Sequence, residues 1–573
     1  GLVLSEIILP LFLAGIKFKE AMRWDESGAA FSRPLRWLLA LHGDRIIPVQ
    51  FGNVVSGSLT RAPRYGDSTT VPVKQAEDYF DAIKSLGIEI HRERRIAGVI
   101  DGAEAIAGKV GGTIDANDPV IHEIADLVEQ PNPILCSFDK RFLKLPPEVL
   151  ISVMKKHQRY IPVYDDAGHL KPNFIAVANG DRVDNETVKK GYENVLVARY
   201  SDAEYFINND SKHKLADFEP RLKTLVFQDK LGSMYDKQQR VCRLLEGITE
   251  IIPPADKTAL FAAAHIFKND LVTSMVTEMT ALQGVMGRYY ALEQGEPQEV
   301  AEMVFQHILP RFSGDVSPEN KDAAILGIAD RADSLVGLFA SGAKPSSTTD
   351  QYGLRRTALG LIQVIISHQL DFELPEVLEA AAKLQSSSVT ADKTVTGDVQ
   401  KFVMEKLKIM MQDKGIPCDV VEASMAANSG NIYKSYQRAL ELQKDITLPE
   451  ATEALTAFMR CAKIVKEPSA YQSPDPADLD DQYSKALYLD TQTARKTITP
   501  RSSVREFFAT VNAMSPRINQ FFDNVMIMVE DQKKRKARLG LMADIVRLSD
   551  GIADFSKIQP KESIVTTESP IQH

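Results

Sequence analysis

His265-Ile-Phe-Lys-Asn-Asp-Leu-Val-Thr-Ser-Met-Val-Thr-Glu-Met-Thr-Ala-Leu-Gln-Gly-Val-Met-Gly-Arg-Tyr-Tyr290 is the stretch on which the fold class turns. Phe267, Leu271, Met275, Met279, Leu282, Met286 and Tyr289 recur at steps of three or four, a spacing that stacks them on one helical face. Gly284 and Gly287 interrupt good helix formers and predict a break or a close helix contact near Gln283. Further on, Ser317, Pro318 and Glu319 read as N-cap, first position and acidic first turn of another helix. Ile325, Ile328, Ala332, Leu335, Val336 and Phe339 carry its buried face, with Asp330, Asp333 and Ser334 as a narrow polar stripe on the far side. The small-residue run from Gly342 to Thr349 reads as a loop, and Thr349 or Asp350 caps a third helix through Leu354, Arg355, Arg356, Leu361, Ile365 and Ile366. The block from His265 to Arg356 is therefore a helical domain.

Outward from it the texture changes. Upstream, to about residue 210, strand and helix signals alternate. Arg45–Phe51 and Asn173–Val177 read as strands, Ala76–Leu86 and Pro119–Val128 as helices, and Gly102–Thr113 is glycine-rich without phosphate-loop spacing. An amphipathic pattern through Leu225, Val226, Leu231, Met234, Val241 and Leu245 predicts a helix over Lys223–Glu246. Downstream, residues 384–398 and Pro468–Asp481 read as linkers. Between and beyond them lies more helix, with Phe402, Leu407, Met410 and Met411 on one face and long final helices from about Val504 to Leu548. The fold class is α+β multidomain, mainly α, divided as 1–210, 211–383 and 384–573.

The net charge of −9 means that bulk electrostatics do not advertise nucleic acid, so any RNA contact must come from local basic patches. One patch is plain: Lys533, Lys534, Arg535, Lys536 and Arg538 put five cations in six positions, and Arg535 and Arg538 share a helical face. The four cysteines are far apart and fit neither a disulfide framework nor a zinc ribbon. Cys242 and Cys461 read as buried thiols, Trp24 and Trp37 as core or interface packing, and Lys155, Lys156, His157 and Arg159 as surface charge. Gly-x-Gly, Gly-x-x-x-x-Gly-Lys, His-Glu-x-x-His and Gly-x-Ser-x-Gly do not occur, so no complete small-molecule active site is legible. A metal-dependent phosphohydrolase of the HD type is one rival reading, with Asp270, Asp330 and a His such as His265 as ligands. It lacks the required His-Asp pair, because Lys268-Asn269-Asp270 stands in its place and Lys268 sets a positive charge where a dication would bind. A protein-binding helical scaffold without catalysis is the other. The run Ile7–Ile16 is too short to span a bilayer, and no membrane role is expected. The chain opens on Gly1 rather than Met, so an upstream segment is expected.

Several longer segments carry a further signal. They are Met22-Arg-Trp24, Phe31-Ser-Arg-Pro-Leu-Arg-Trp37, the run Val149–Val163, Arg199-Tyr-Ser-Asp-Ala-Glu-Tyr-Phe206, the run Leu222–Lys237, Lys268–Ala291 with Leu282-Gln-Gly-Val-Met-Gly-Arg-Tyr-Tyr290, Tyr352-Gly-Leu-Arg-Arg356, and Phe521-Phe-Asp-Asn-Val-Met526 through the basic run to Met542. In this order they resemble the β subunit of the bacterial-type, two-subunit glycyl-tRNA synthetase over nearly the whole chain. The resemblance implies an N-terminal α/β editing-like module, a central HD-like helical domain and a C-terminal helical anticodon-binding domain. It implies that an α subunit, or a fused α part as in plastids, binds ATP, Mg and glycine and forms glycyl-adenylate. This chain would hold no cofactor and no metal, would supply no catalytic residue, and would grip glycine tRNA. The assembly would be α2β2 or a dimer of fused chains. Arg355, Arg356, Lys533, Arg535 and Arg538 are then the expected tRNA contacts. Three positions depart from the family pattern: Thr60-Arg-Ala-Pro-Arg-Tyr65 lacks a usual Gly-His pair, Gln130 replaces a usual Trp, and Asp350-Gln-Tyr stands for Asp-Pro-Phe. The first change puts any role of that loop in doubt. The Pro-Ser-Ser-Thr stretch before Asp350 leans toward a plant or algal organelle, chloroplast or mitochondrion, with a bacterial cytoplasm as the alternative.

Overall fold

The structure is a computed structural model that describes residues 3–62, 70–180 and 185–558. It is mainly helical with small sheets, and it divides into two compact units, Gly1–Lys212 and His213–His573. No helix among the described residues is long and apolar enough to cross a membrane.

The first unit is built on a three-stranded antiparallel sheet. Leu170–Asn179 lies centrally between Pro131–Ser137 and Ile161–Tyr164, with Pro131 opposite Asn179 and Ile161 opposite Ile175. The helices Arg92–Gly108 and Pro119–Leu127 cover it, joining Val99, Ala103, Ala107, Ile121, Ile124 and Ala125 to Ile161, Val163 and Ile175 in one core. The 26-residue helix Asn185–Asp210 packs through Tyr200 on Phe138 and Phe142, with ring centroids 5.2 and 5.4 Å away. The glycine-rich stretch is the end of the Arg92–Gly108 helix and the turn that follows it. Arg45–Phe51 is not one strand but two short pieces, Arg45–Ile46 and Gln50–Phe51, because Pro48 between them has no N–H for a ladder. Trp37 is largely exposed under the Arg61 guanidinium rather than in the core, whereas Trp24 packs near Phe51. Lys155 and Arg159 pair with Asp118 and Glu123, while Lys156 and His157 are exposed. In the altered stretch Thr60–Tyr65, Thr60 and Arg61 belong to the strand Leu59–Arg61, and residues 63–65 lie outside the described residues.

In the second unit the expected burial holds, and the break expected near Gln283 falls between Thr280–Leu282 and Val285–Glu293, but the segment before it is interrupted as well. Phe267, Met275, Met279, Leu282 and Met286 are buried, yet Lys257–Glu293 is five short pieces: Lys257–Ile266, Asn269–Val272, Ser274–Glu278, Thr280–Leu282 and Val285–Glu293. Side chains take over the main-chain hydrogen bonds. Thr273 accepts from the Val276 N–H, and the Asp270 carboxylate accepts from Gly284 (2.5 Å) and Gly287 (3.2 Å). Gly284 sits at φ 77°, a conformation that costs a glycine little.

Three further boundaries are corrected. The Lys223–Glu246 pattern is a 3₁₀ segment, a hairpin of Val226–Gln228 with Gly232–Ser233, and a helix that starts only at Met234. Ser233 and Asp236 cap that start reciprocally, 3.3 and 2.8 Å. Ser317 is not an N-cap. The helix is Lys321–Ala340, capped by Asn320, because Gln306 Oε1 accepts from the Glu319 and Asn320 N–H groups (2.9 Å each) and holds that segment off the helix. Asp350 does cap the third helix, Leu354–Ser367, accepting from the Leu354 (2.8 Å) and Arg355 (3.0 Å) amides. The second linker is no free tether: Arg547 donates to the Pro468 and Tyr471 carbonyls and Ser473 donates to Asp544, which seats the segment on the helix Gln532–Val546. Of 384–398 only the part before Lys393 lies outside a helix.

Candidate nucleic-acid interface

The polar stripe Asp330–Asp333–Ser334 faces inward, not outward. Two ammonium groups sit on Asp330, Lys237 at 2.9 Å and Lys268 at 2.8 Å, and Asp333 takes Arg240 (2.7 Å) and Lys237 (3.2 Å). Burial works to raise both carboxyls, but the Lys237 charge, joined by Lys268 at Asp330 and by Arg240 at Asp333, outweighs it and holds both below the usual carboxylate range. Burial lowers Lys268 against the pull of Asp330. His307 donates from Nδ1 to the Val304 carbonyl (2.7 Å) and faces Lys268 Nζ through Nε2 (3.3 Å). Burial and then Lys268 hold its imidazole down to about 3. Asp270, pushed up to about 6 by burial, is engaged with glycine amides. His265 is exposed, beside Cys242. Asp270, Asp330 and His265 are therefore separate features, and among the described residues no three His, Cys, Asp or Glu side chains gather to hold a metal. What Lys237 and Lys268 do is neutralise the two carboxylates at the centre of the helical unit, which unpaired would be costly.

The expected RNA-contacting cations fall into two groups. At the start of the Leu354–Ser367 helix, Arg355 reaches back to the Ser346 carbonyl and Arg356 is exposed with no ion pair among the described residues. Neither pairs with Asp350, whose carboxylate is spent on amides. At the start of the Gln532–Val546 helix, Lys533 and Lys536 are exposed, Arg535 is partly exposed, and Lys534 pairs with Asp480 at 2.7 Å. Cations in a first helical turn oppose the positive end of the macrodipole, a cost that the Asp531 cap, accepting from the Lys533 and Lys534 amides (2.9 and 3.3 Å), and Asp480 offset. Arg538 is corrected. It is buried, donating to the Met526 carbonyl (2.7 Å), Asp480 (3.1 Å) and Asp481 (3.4 Å), so it anchors the preceding loop and cannot share an outward face with Arg535.

Sequence reasoning missed Lys237, Arg240 and Arg331, buried cations whose spacing along the chain says nothing about the partners they meet. It also missed the turn Pro310–Ser317, which exposes Phe312. An open polar groove of about 820 Å³ runs beside the Met234–Ile251 helix, lined by Tyr235, Arg243, Glu246 and His265 among others.

Ammonium groups on the central carboxylates do not suit a metallohydrolase centre, and exposed cations stand at two helix starts. Residues 2–426 match the family model described as glycyl-tRNA synthetase beta subunit, and the chain belongs to that family. It is 36% identical over 566 residues to the glycine–tRNA ligase, chloroplastic/mitochondrial 2, of Arabidopsis thaliana, which covers 97% of this chain and 52% of that protein. It is 34% identical over 555 residues to the glycine–tRNA ligase beta subunit of Clostridioides difficile, and 34% over 558 residues to that of Myxococcus xanthus, covering 80% and 79% of them. The chain thus spans about half the length of the Arabidopsis relative and about four fifths of the bacterial subunits.

Proposed function

We propose that this chain is the tRNA-holding β part of a glycine–tRNA ligase. The assembled enzyme joins glycine to its tRNA through glycyl-adenylate, and a separate or fused α part takes the ATP, Mg and glycine. The observation that carries the reading is membership of the beta-subunit family together with the uncommitted cations Lys533, Arg535 and Lys536 on one exposed helical turn. In this reading 1–210 is the editing-like module, 211–383 the HD-like domain and 384–573 the body with the anticodon-binding helices. Lys533 and Arg535 contact anticodon-side phosphates, Arg356 contacts RNA from the HD-like domain, and Arg538 positions the loop before the basic turn. The assembly is α2β2 or a dimer of fused chains. The name of the Arabidopsis relative supports an organellar setting. No observation favours the phosphohydrolase or scaffold readings, and the ammonium groups on Asp330 speak against the first.

The test is glycine-dependent ATP–pyrophosphate exchange by the purified chain. Exchange at the buffer background is expected, and robust exchange would overturn the division of labour.

A further inference from the structure

Met22-Arg-Trp24 and Phe31-Ser-Arg-Pro-Leu-Arg-Trp37 have no part in the reading above, yet the fold brings both to one cleft of the first unit. The cleft, of about 580 Å³, is lined by Trp24, Pro34, Arg36, Trp37, Asn53 and Val55 among others. That size falls within the roughly 300–1,000 Å³ of small-ligand sites. Its walls are fixed to each other. Trp24 follows the strand Met22–Arg23 and packs 6.4 Å from Phe51, centroid to centroid, while Phe31 on the partner strand Ala30–Phe31 meets Phe18 at 4.6 Å and Phe51 at 6.0 Å. Trp37 leads into the strand Leu38–Leu39, which pairs in parallel with Val54–Gly57. Asp25 ties the two sides: its carboxylate accepts from the Ser27 amide (3.0 Å) and, from the far side, the Asn53 amide (2.9 Å). Gly52, at φ 61°, lets that carboxylate approach to 2.6 Å from where a β-carbon would stand.

What this frame presents is aromatic and cationic. Trp37 is 42% exposed. The Arg61 guanidinium stands 5.5 Å from its ring centroid, and Arg36 lines the same cleft. No carboxylate lines it, and Asp25, next to Trp24, is spent on the two amides. Neither guanidinium makes an ion pair among the described residues. In a chain of net charge −9, a cleft with two guanidinium groups and no carboxylate selects an anion. Its two indoles select a flat apolar face. An apolar peptide would cover the indoles and leave the guanidinium groups without an anion, and inorganic phosphate would do the reverse. An unpaired nucleotide answers both, because the Arg61 charge already stands beside the Trp37 ring on which a base would lie. A duplex keeps its bases stacked on one another and offers phosphates alone.

We propose that the cleft of Trp24 and Trp37 takes an unpaired nucleotide of the bound RNA, its base on the Trp37 indole and an adjacent phosphate on Arg61. The proposal rests on the tRNA-holding reading and adds a site to it. The chain has 2 tryptophans and both line this cleft, so the indole fluorescence of the unmodified full chain reports on it alone. The chain is titrated with a short unpaired oligoribonucleotide, with a blunt RNA duplex of equal phosphate count and with polyglutamate, and tRNA binding is measured in parallel by filter retention. The oligoribonucleotide and tRNA should quench the indoles saturably, and the duplex and polyglutamate should not. Trp37→Ala, a change at an exposed side chain, should weaken tRNA binding on the order of ten-fold with the salt slope unchanged, and Trp37→Phe should retain most of the affinity. Arg61→Gln should instead lower the slope of log affinity against log salt by about 0.7. Retained tRNA without quenching, or Trp37→Ala binding as the parent does, would overturn the site while leaving the tRNA-holding reading intact. Equal quenching by the duplex would reduce the cleft to a phosphate contact, and equal quenching by polyglutamate would assign it to an acidic protein; either result overturns the proposal. Failure of the parent chain to bind tRNA at all would remove both readings.

Discussion

His307 is a neutral imidazole by construction. It is buried, its Nδ1 proton is committed to the Val304 carbonyl, and its other nitrogen faces an ammonium group. Its folded pKa is held down to about 3, against 6.5 for the free side chain. As the pH falls below about 6.5 the unfolded chain takes up a proton that the folded chain refuses, so stability drops with added acid by up to about 1.4 kcal/mol per pH unit. Asp270 acts oppositely: its folded pKa of about 6 lies above the ordinary 3.8, so its contribution shrinks as the pH rises from about 4 to 6. Comparing His307→Gln with the parent isolates the imidazole, since Gln can still donate to Val304 and accept from Lys268. Urea denaturation at pH 7, 6 and 5 should show the variant losing less stability than the parent by roughly 1 kcal/mol per pH unit. Parallel losses would mean that His307 is not held neutral. None of this could be read from the chain as a string. His307, Lys268 and Asp330 are separated by tens of residues, and only the packing of three helical segments brings Lys268 to 3.3 Å from His307 and 2.8 Å from Asp330.

At the scale of elements, the basic helix start divides labour among its cations. Lys533 and Arg535 face outward, whereas Arg538 ties the loop of Met526 to Asp480 and Asp481. Lys533→Gln with Arg535→Gln should therefore leave the urea midpoint unchanged and lower the slope of log affinity against log salt by about 1.5, each lost phosphate contact releasing fewer counterions. Arg538→Ala should instead cost about 1 kcal/mol of stability, because it removes the donor to the Met526 carbonyl. If Arg538→Ala leaves stability untouched and weakens RNA binding alone, its assignment as an anchor is wrong. The element pattern was legible where side chains repeat: the apolar faces of the Lys321–Ala340 and Leu354–Ser367 helices were evident. It misled where a side chain replaces a main-chain bond. The helix suggested from Phe267 is interrupted before the break that Gly284 and Gly287 announce, and Gln306 moves a helix start from Ser317 to Lys321. Such bonds span more than ten residues and leave no local signature.

At the scale of the molecule, the proposed role asks an acidic chain to meet a polyanion through a few exposed turns, while most of its interior cations are spent on its own carboxylates. Family membership was legible because long segments kept their order. The outward or inward direction of individual arginines was not, as Arg356 and Arg538 illustrate, since both sit in basic runs and only one faces solvent. The most direct measurement is a titration of the purified chain with glycine tRNA at several salt concentrations. Saturable binding that weakens steeply as salt rises is predicted. Absence of binding at low salt, or binding indifferent to salt, would contradict the claim that this polypeptide holds the RNA.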